Sequence, residues 1–415
     1  MSMPDIAIVG GGAAGLVAAI HAARLGATVT VFEKNDHPAR KLRITGKGRC
    51  NVTNHCTRDV FFANITGNAR FLYSAWDRFS AEDTEAFFEE LGVPLKVERG
   101  NRVFPVSDKA TDVVDALVRE CRHLGVRIRH VGVRGLLIED GVATGVVLPQ
   151  GEERFDAVIV ATGGLSYPKT GSTGDGLRFA REAGIAVTPT VPSLVPLVEM
   201  GKFCASVQGL SLRNVRVTVY DTSKNKAVFS DFGEMLFTHY GLSGPLVLSA
   251  SAHLVDMQAG RYELRIDLKP ALDEKALDAR LLSDFAKYQN KDFLNALSDL
   301  LPQKLIAPLV ALSGIDPRKK VNAITKEERT ALLLLLKALP VKIRGFRPID
   351  EAIITKGGVA LGEIAPSTMG AKRVKNLYFA GEVLDLDAYT GGFNLQIAFS
   401  TAVVAGESAA CALNS

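Results

Sequence analysis

The sequence predicts an α/β protein whose doubly wound, nucleotide-binding domain is assembled from both ends of the chain around an inserted domain. Three observations predict it. Residues 5–33 read strand, glycine turn, helix, strand; the apolar runs AVIVA (157–161) and LYFA (377–380) return to that strand pattern far downstream. Between those returns, TPTVPSLVPLV (188–198) marks a shift in composition. The expected division is 1–189 with 345–415 for the nucleotide-binding domain and 190–344 for the insert. Within the insert, 190–270 is mainly β and 271–344 mainly helical.

The elements follow in order. IAIV is a short buried run, AAGLVAAIHAARLG has helical apolar spacing that stops at Gly26, and TVTVFE is rich in β-branched residues. Residues 35–58 read as a polar, basic loop. Phe71, Leu72, Ala75, Phe79, Phe87, Phe88 and Leu91 predict helices over 68–92, and TDVVDALVRECRHLG (111–125) has an aspartate-rich start and a glycine stop. Over 126–164 short strands are joined at Asp140-Gly141 and Gln150-Gly151, a meander leading back to the parallel sheet. VRVTVY and YELRIDL alternate as antiparallel strands, 272–340 has helical spacing, and a last helix is expected from about Asn394 to Ala412.

Composition excludes several classes. A net charge of +4 over 415 residues does not argue for a nucleic-acid or membrane-surface partner, and neither is expected. The longest aliphatic run, Leu332 to Leu336, is far shorter than the roughly 20 residues of a membrane span, and no signal peptide is read at the N-terminus. Five scattered cysteines do not make a disulfide framework and fit a reducing cytoplasm, and the histidines and cysteines show no zinc spacing.

Gly10-x-Gly12-x-x-Gly15 lies between a strand and a helix, where glycines let backbone amides approach a pyrophosphate. Glu33 ends the next strand, placed to accept hydrogen bonds from both ribose hydroxyls and to repel the 2′-phosphate of NADP. FAD and NAD share this fingerprint. The far end separates them: LYFAGEVLDLDAYTGGFNLQIAFSTA (377–402) resembles the second FAD motif of glutathione-reductase-like flavoproteins, with Phe379-Ala380-Gly381-Glu382 where those have Ala-x-Gly-Asp. Gly391 and Gly392 allow backbone to approach a flat ring, and the helix near Asn394 aims free N–H groups at it. RKLRITGKGRCNVTN (40–54) crowds five basic residues around two glycines and reads as phosphate binding.

Together GGGAAG, FEKN, KLRITGKGRCNVTN, ATGG, LFTHYGLSGP (236–245) and FAGEVLDLDAYTGGFNLQ resemble the bacterial BaiN/RdsA-type, aminoacetone oxidase-like FAD-dependent flavoproteins over essentially the whole chain. The resemblance implies a discontinuous FAD-binding Rossmann domain of glutathione-reductase type and an insert with a β-barrel-like and a helical part. It implies FAD contacts at Gly10, Gly12, Ala14, Gly15, Glu33, Lys34, Lys41, Arg49, Cys50 and Asn51, with Val133 at the adenine. Ala161, Thr162 and Gly163 fall on the pyrophosphate side, and Gly381, Glu382, Asp385, Gly392, Phe393 and Asn394 around the ribityl chain and isoalloxazine. Family loops often read Ser-Gly-Gly-Gly-Arg-Cys-Asn where this chain has Thr45-Gly46-Lys47-Gly48-Arg49-Cys50-Asn51. GGLSYPKTGSTGDGLRFAREAG (163–184) resembles the loop of fumarate-reductase-like flavoproteins, with Asp175 set to cap the following helix.

The reading is an FAD-dependent oxidoreductase acting on a small organic substrate, reducing a conjugated C=C bond with NAD(P)H as a transient donor. The alternatives are an amine oxidase using oxygen and a non-catalytic FAD-dependent binding or redox-sensing module. A flavin leaves the protein one proton to handle, and His239 and Tyr240 in the THYGLSGP turn are the catalytic candidates, with Tyr167 and Tyr389 behind them. Cys50 and Cys56 lack the short spacing of a redox dithiol. No second Gly-x-Gly-x-x-Gly unit occurs between 165 and 345, so no dedicated NAD domain is expected.

Overall fold

The computed structural model describes residues 3–412, which fall into two compact units. One comprises the described residues up to Ser193 and from Ile349 onward; the other is Leu194–Pro348.

The first unit is built on a five-stranded parallel sheet. Its strands lie in the order Leu377–Phe379, Ala157–Val160, β1 (Asp5–Val9), β2 (Thr28–Phe32) and Arg127–Arg129, so segments more than 200 residues apart become neighbours. Ile8 pairs with Val31 on one side and Ile159 on the other, and Ile159 pairs with Tyr378. Of the inner strands, β1 from Ile6 onward and Ala157–Val160 are continuous apolar runs buried on both faces, while β2 alternates Thr with apolar residues and is buried from Val29 to Phe32. α1 (Ala13–Arg24) and the C-terminal helix Phe393–Cys411 pack together, and the latter is apolar all round and buried along most of its length. Small residues permit that approach: a Cβ on Gly406 would lie 2.4 Å from the carbonyl oxygen of Ala18. The meander of Gly135–Glu139, Val142–Leu148 and Gly151–Arg154 forms a separate antiparallel sheet. Its first turn has Asp140 and Gly141 both at positive φ, as a type I′ hairpin requires.

The basic stretch expected as a loop contains a short helix, α2 (Arg40–Ile44), followed by a turn in which Gly46 and Lys47 are left-handed. Local polarity hid it. Leu42 is its one buried residue, and it is held by a tertiary bond from Ala39 N–H to Gly11 O, 2.8 Å.

The second unit contains a closed antiparallel barrel. The strands run Leu197–Glu199, Gly241–Ser243, Lys226–Phe237, Ser211–Asp221, Tyr262–Asp267 and Leu339–Phe346, the last returning to the first. Leu339, Val341 and Ile343 point inward while Pro340, Lys342 and Arg344 face out. Helices Glu274–Lys287, Gln303–Ser313 and Lys326–Lys337 cover part of it, the last opened by a Thr325–Glu328 capping box. In the Leu332–Leu336 run, Leu332, Leu333 and Leu336 are buried and Leu334 is exposed, so the run is one face of an amphipathic helix. Among the described residues no helix is long and apolar enough to cross a membrane.

Replacing Gly406 by Ala forces α1 and the C-terminal helix apart. The expected cost is about 1–3 kcal/mol, the usual range for overpacking, read as a lower Tm with unchanged helical circular dichroism at low temperature.

Candidate dinucleotide cleft

The three motif glycines meet three different demands. Gly10 sits at φ +108°, and a Cβ there would stand 2.6 Å from the carbonyl oxygen of Ala161, so the turn must pass the neighbouring strand without a side chain. Gly15 lets α1 rest on the strand end, since its Cβ would be 1.8 Å from Gly10 O. A Cβ on Gly12 would meet no protein atom within 4 Å, so only what enters the cleft claims that space. These are the roles such glycines play in holding a dinucleotide pyrophosphate. α1 has no acidic residue in its first turn and no side-chain N-cap, so its leading amides and dipole face the cleft uncompensated.

The cleft encloses about 1000 Å³ counting its open mouth. Its walls come from the glycine turn, the end of β2, α2, Val133, Ala161–Gly163, the 170–172 loop and the Ala380–Glu382 turn. Of the residues expected at the cofactor, Gly10, Gly12, Ala14, Glu33, Lys34, Lys41, Val133, Ala161, Thr162, Gly163 and Glu382 line it. Arg40, one of the basic residues read as phosphate binding, lines it too, as do Asn35, Thr170 and Ser172, of which only Asn35 is hinted at by its place beside Glu33.

Glu33 is 7% exposed and already oriented. One oxygen accepts from Gly11 N at 3.0 Å, the other from Asn35 N at 2.8 Å and Asn35 Nδ2 at 2.6 Å. A carboxylate has about four lone-pair sites, so acceptor capacity for a ribose hydroxyl remains. Lys34 Nζ donates to Asp175 Oδ2 at 2.6 Å and to Thr173. Burial raises the Asp175 carboxyl, but the Lys34 hydrogen bond and charge outweigh it and leave the group below its usual range. Asp175 is therefore not the helix cap: Gly174, at φ +82°, takes that position and Asp175 is the first helical residue.

Several expected contacts are engaged elsewhere. The Arg49 guanidinium lies 4.1 Å over the Phe104 ring, bonded to Glu98 and, at 2.8 Å, to Asp108. Cys50 is fully buried, which pushes its thiol up to about 12, and partial burial holds Cys56 near 11. Neither supplies a thiolate at neutral pH, and all five cysteines are free. Beside them the buried Oδ1 of Asn51 has no partner, an open acceptor on the loop after α2.

Gly381 packs on Ala14 and donates its N–H to Thr401 Oγ1 at 3.0 Å. Asp385 accepts from Thr188 Oγ1 at 2.9 Å. On its Cβ side Gly392 packs against the chain itself, since a Cβ there would meet the Thr53 carbonyl at 2.3 Å, so this position must be glycine whatever lies on its other side. Phe393 is buried near Phe61, and Asn394 clamps Ala388, accepting from its N–H and donating to its carbonyl.

His239 and Tyr240 belong to the second unit. Thr238 closes their turn, its N–H donating to Gly241 O at 2.8 Å and its hydroxyl accepting from Gly241 N at 3.1 Å. The two rings meet edge to face at 4.9 Å, and Arg347 lies 4.5 Å over Tyr240, a partner no local spacing announces. Tyr167 lines no wall but sits 5.9 Å from Lys41 Nζ, and burial raises its phenol.

Three outcomes are expected. Gly12→Val should fold with unchanged Tm yet purify without bound flavin, and Glu33→Ala should weaken flavin retention about tenfold or more, the worth of a charged hydrogen bond, in a fluorescence release assay. With a thiol-specific disulfide reagent, the native protein should show one fast-reacting cysteine, the exposed Cys411, a slow one at half-buried Cys56, and release Cys50, Cys121 and Cys204 only on unfolding.

The chain matches the HI0933-like protein Rossmann domain over residues 4–408. It is 32% identical to the 3-dehydro-bile acid delta(4,6)-reductase of Clostridium scindens, covering 98% of this chain and 99% of that one. It is also 32% identical to the ribosomal RNA dihydrouridine synthase of Escherichia coli, covering 96% of each. In fold it is similar to a 3-ketosteroid-delta4-(5alpha)-dehydrogenase from Rhodococcus jostii, with a TM-score of 0.55 and 17% identity over 98% of this chain and 96% of that one. With a dinucleotide cleft shaped by its own glycines and motifs shared from end to end, the chain belongs to the HI0933-like family of BaiN/RdsA-type flavoproteins and is an FAD-dependent oxidoreductase.

Proposed function

We propose that the enzyme reduces a carbon–carbon double bond conjugated to a carbonyl in a small organic substrate, with NAD(P)H as the transient donor. One observation carries this: the relatives matching the whole chain at 32% identity are named for a delta(4,6)-reductase and a dihydrouridine synthase. Both names describe saturation of such a bond, since dihydrouridine is uridine with its ring C=C reduced. Oxygen-dependent amine oxidation and a non-catalytic module draw no support from those names.

Bound FAD supplies the hydride chemistry. The chain would hold it through the amides of the glycine turn and α1, with Glu33 on the ribose, Val133 at the adenine and Ala161, Thr162 and Gly163 along the pyrophosphate. Asn51, with its open acceptor, and the turn from Gly381 to Asn394 are the candidates for the ribityl and ring end. His239 and Tyr240 remain the proton-handling candidates, supported by the tight turn that presents them. A cytoplasmic setting is supported by the reduced cysteines.

A second reading is favoured by the Escherichia coli and Haemophilus influenzae relatives named ribosomal RNA dihydrouridine synthase. In it the reduced bond belongs to a uridine in RNA. The small net charge gives it no independent support.

The test is anaerobic. Holoprotein is mixed with NADH or NADPH while flavin absorbance is followed, then challenged with a 4-en-3-one steroid, a short unsaturated ketone or a uridine-containing ribosomal transcript. Bleaching by the nicotinamide and recovery on the ketones supports the first reading; recovery on the transcript alone moves the assignment to RNA. Bleaching by amines with recovery only in oxygen would sink both. Tyr240→Phe or His239→Asn should slow recovery by about 10²-fold or more, as loss of a general acid does, while leaving bleaching unchanged.

A further inference from the structure

Both lysines that the FAD cleft presents are neutralised by the chain itself. Lys34 is held by Asp175 and Thr173, and Lys41 by a larger network. Lys41 Nζ lies 2.5 Å from Glu382 Oε2 and 2.6 Å from Ser166 Oγ. The Ser166 hydroxyl reaches the other carboxylate oxygen, Oε1, at 2.9 Å, and Thr355 N–H donates to that same oxygen at 2.9 Å. Thr355 Oγ1 in turn accepts from Leu165 N at 2.8 Å and Ser166 N at 3.1 Å. Four segments remote in sequence are thereby joined: α2, the loop after strand Ala157–Val160, strand Ile354–Lys356, and the turn after strand Leu377–Phe379.

The network is built, and its fit is tight. The Lys41 and Glu382 side chains are 23% and 14% exposed, so the pair is shielded from solvent. Gly164 has no room for a side chain, because its Cβ would stand 2.4 Å from Thr355 Oγ1 and 3.0 Å from Glu382 Oε1. The glutamate matters as well. Its additional methylene, relative to the aspartate of similar flavoprotein motifs, extends the carboxylate to Lys41 and Ser166 at once.

We propose that Lys41, Glu382 and Ser166 are positioning residues that latch the walls of the FAD cleft together, and that Lys41 does not grip the cofactor's diphosphate. The diphosphate is left to backbone amides at Gly12 and the first turn of α1, where no acidic side chain and no side-chain N-cap competes. This rests on the cleft being the FAD site, which fails separately if the purified protein carries no flavin.

The two roles for Lys41 predict opposite signs. If Lys41 gripped phosphate, Glu382 would compete for it, and Glu382→Gln would free the lysine and slow FAD release. As a latch, Glu382→Gln strands a shielded cation, so the walls part and release accelerates. Holoprotein of wild type, Glu382→Gln, Lys41→Met and the double variant is diluted, and liberated FAD is followed by fluorescence. Hydrogen exchange is read in parallel over residues 354–356 and 381–386.

Each single substitution should speed release about tenfold or more, the range of a charged hydrogen bond. Exchange should rise in both segments, and the double variant should release no faster than the faster single one, because the partners act as a unit. Slower or unchanged release in Glu382→Gln, or accelerations that multiply in the double variant, overturns the proposal. Ser166→Ala removes only the bridging hydroxyl and keeps the question answerable if the charge variants fail to fold. Its release should quicken about tenfold, the worth of a hydrogen bond to a charged group, and an unchanged rate overturns the latch.

Discussion

The approach of α1 to the end of β1 sets the terms for the rest of the FAD-binding unit. With Gly15 lying against the carbonyl of Gly10, and Gly10 against that of Ala161, three backbone segments converge where no side chain can intervene. That convergence aims the helix's first amides into one cleft and leaves Gly12 open to it. It also dictates the strand order, because Ala157–Val160 must lie beside β1 to bring Ala161 to the turn. Apolar burial on both faces of the sheet supplies the driving force, and the glycines direct it to one geometry.

From that convergence outward, the cleft is a set of charges arranged mostly to satisfy one another. Glu33 is oriented by two amides and the Asn35 side chain, Lys34 answers to Asp175, and Lys41 to Glu382. A cleft prepared in this way spends little on reorganisation when an anionic ligand arrives, since the dipoles it needs are already fixed in backbone. The barrel unit makes a different kind of arrangement. Its Thr238 turn holds two polar rings at a tip, and Arg347 braces one of them across strands that pair only in three dimensions.

Much of this was legible in the sequence where the signal is local. A strand, three glycines and a helix impose their own geometry, and Glu33 follows from strand length alone. The continuous apolar strands and the helical spacing of the Leu332–Leu336 segment likewise reported their burial. What local spacing could not show is which distant residue claims a given charge or void. Arg49 looked like a phosphate ligand because its neighbours in sequence are basic, yet its neighbours in space are Glu98, Asp108 and Phe104. Gly392 reads as room for a flat ring, and what fixes it as glycine on its Cβ side is the distant Thr53 carbonyl. α2 reads as loop in the sequence because its one buried leucine is too little periodicity to register, and a tertiary hydrogen bond to the glycine turn holds it.

The parallel sheet has a consequence for how the enzyme comes into being. Its edge strand Leu377–Phe379, and the cleft wall supplied by Ala380, Glu382 and Ala398, are synthesised after every other strand of that sheet. The barrel unit, ending at Pro348, is complete before them. A nascent chain therefore carries an N-terminal turn ready for a dinucleotide and only part of the cleft that would keep one. The cleft closes only once residues 377–398 have joined the sheet, and a chain cut before helix Phe393–Cys411 loses the Ala398 wall with it.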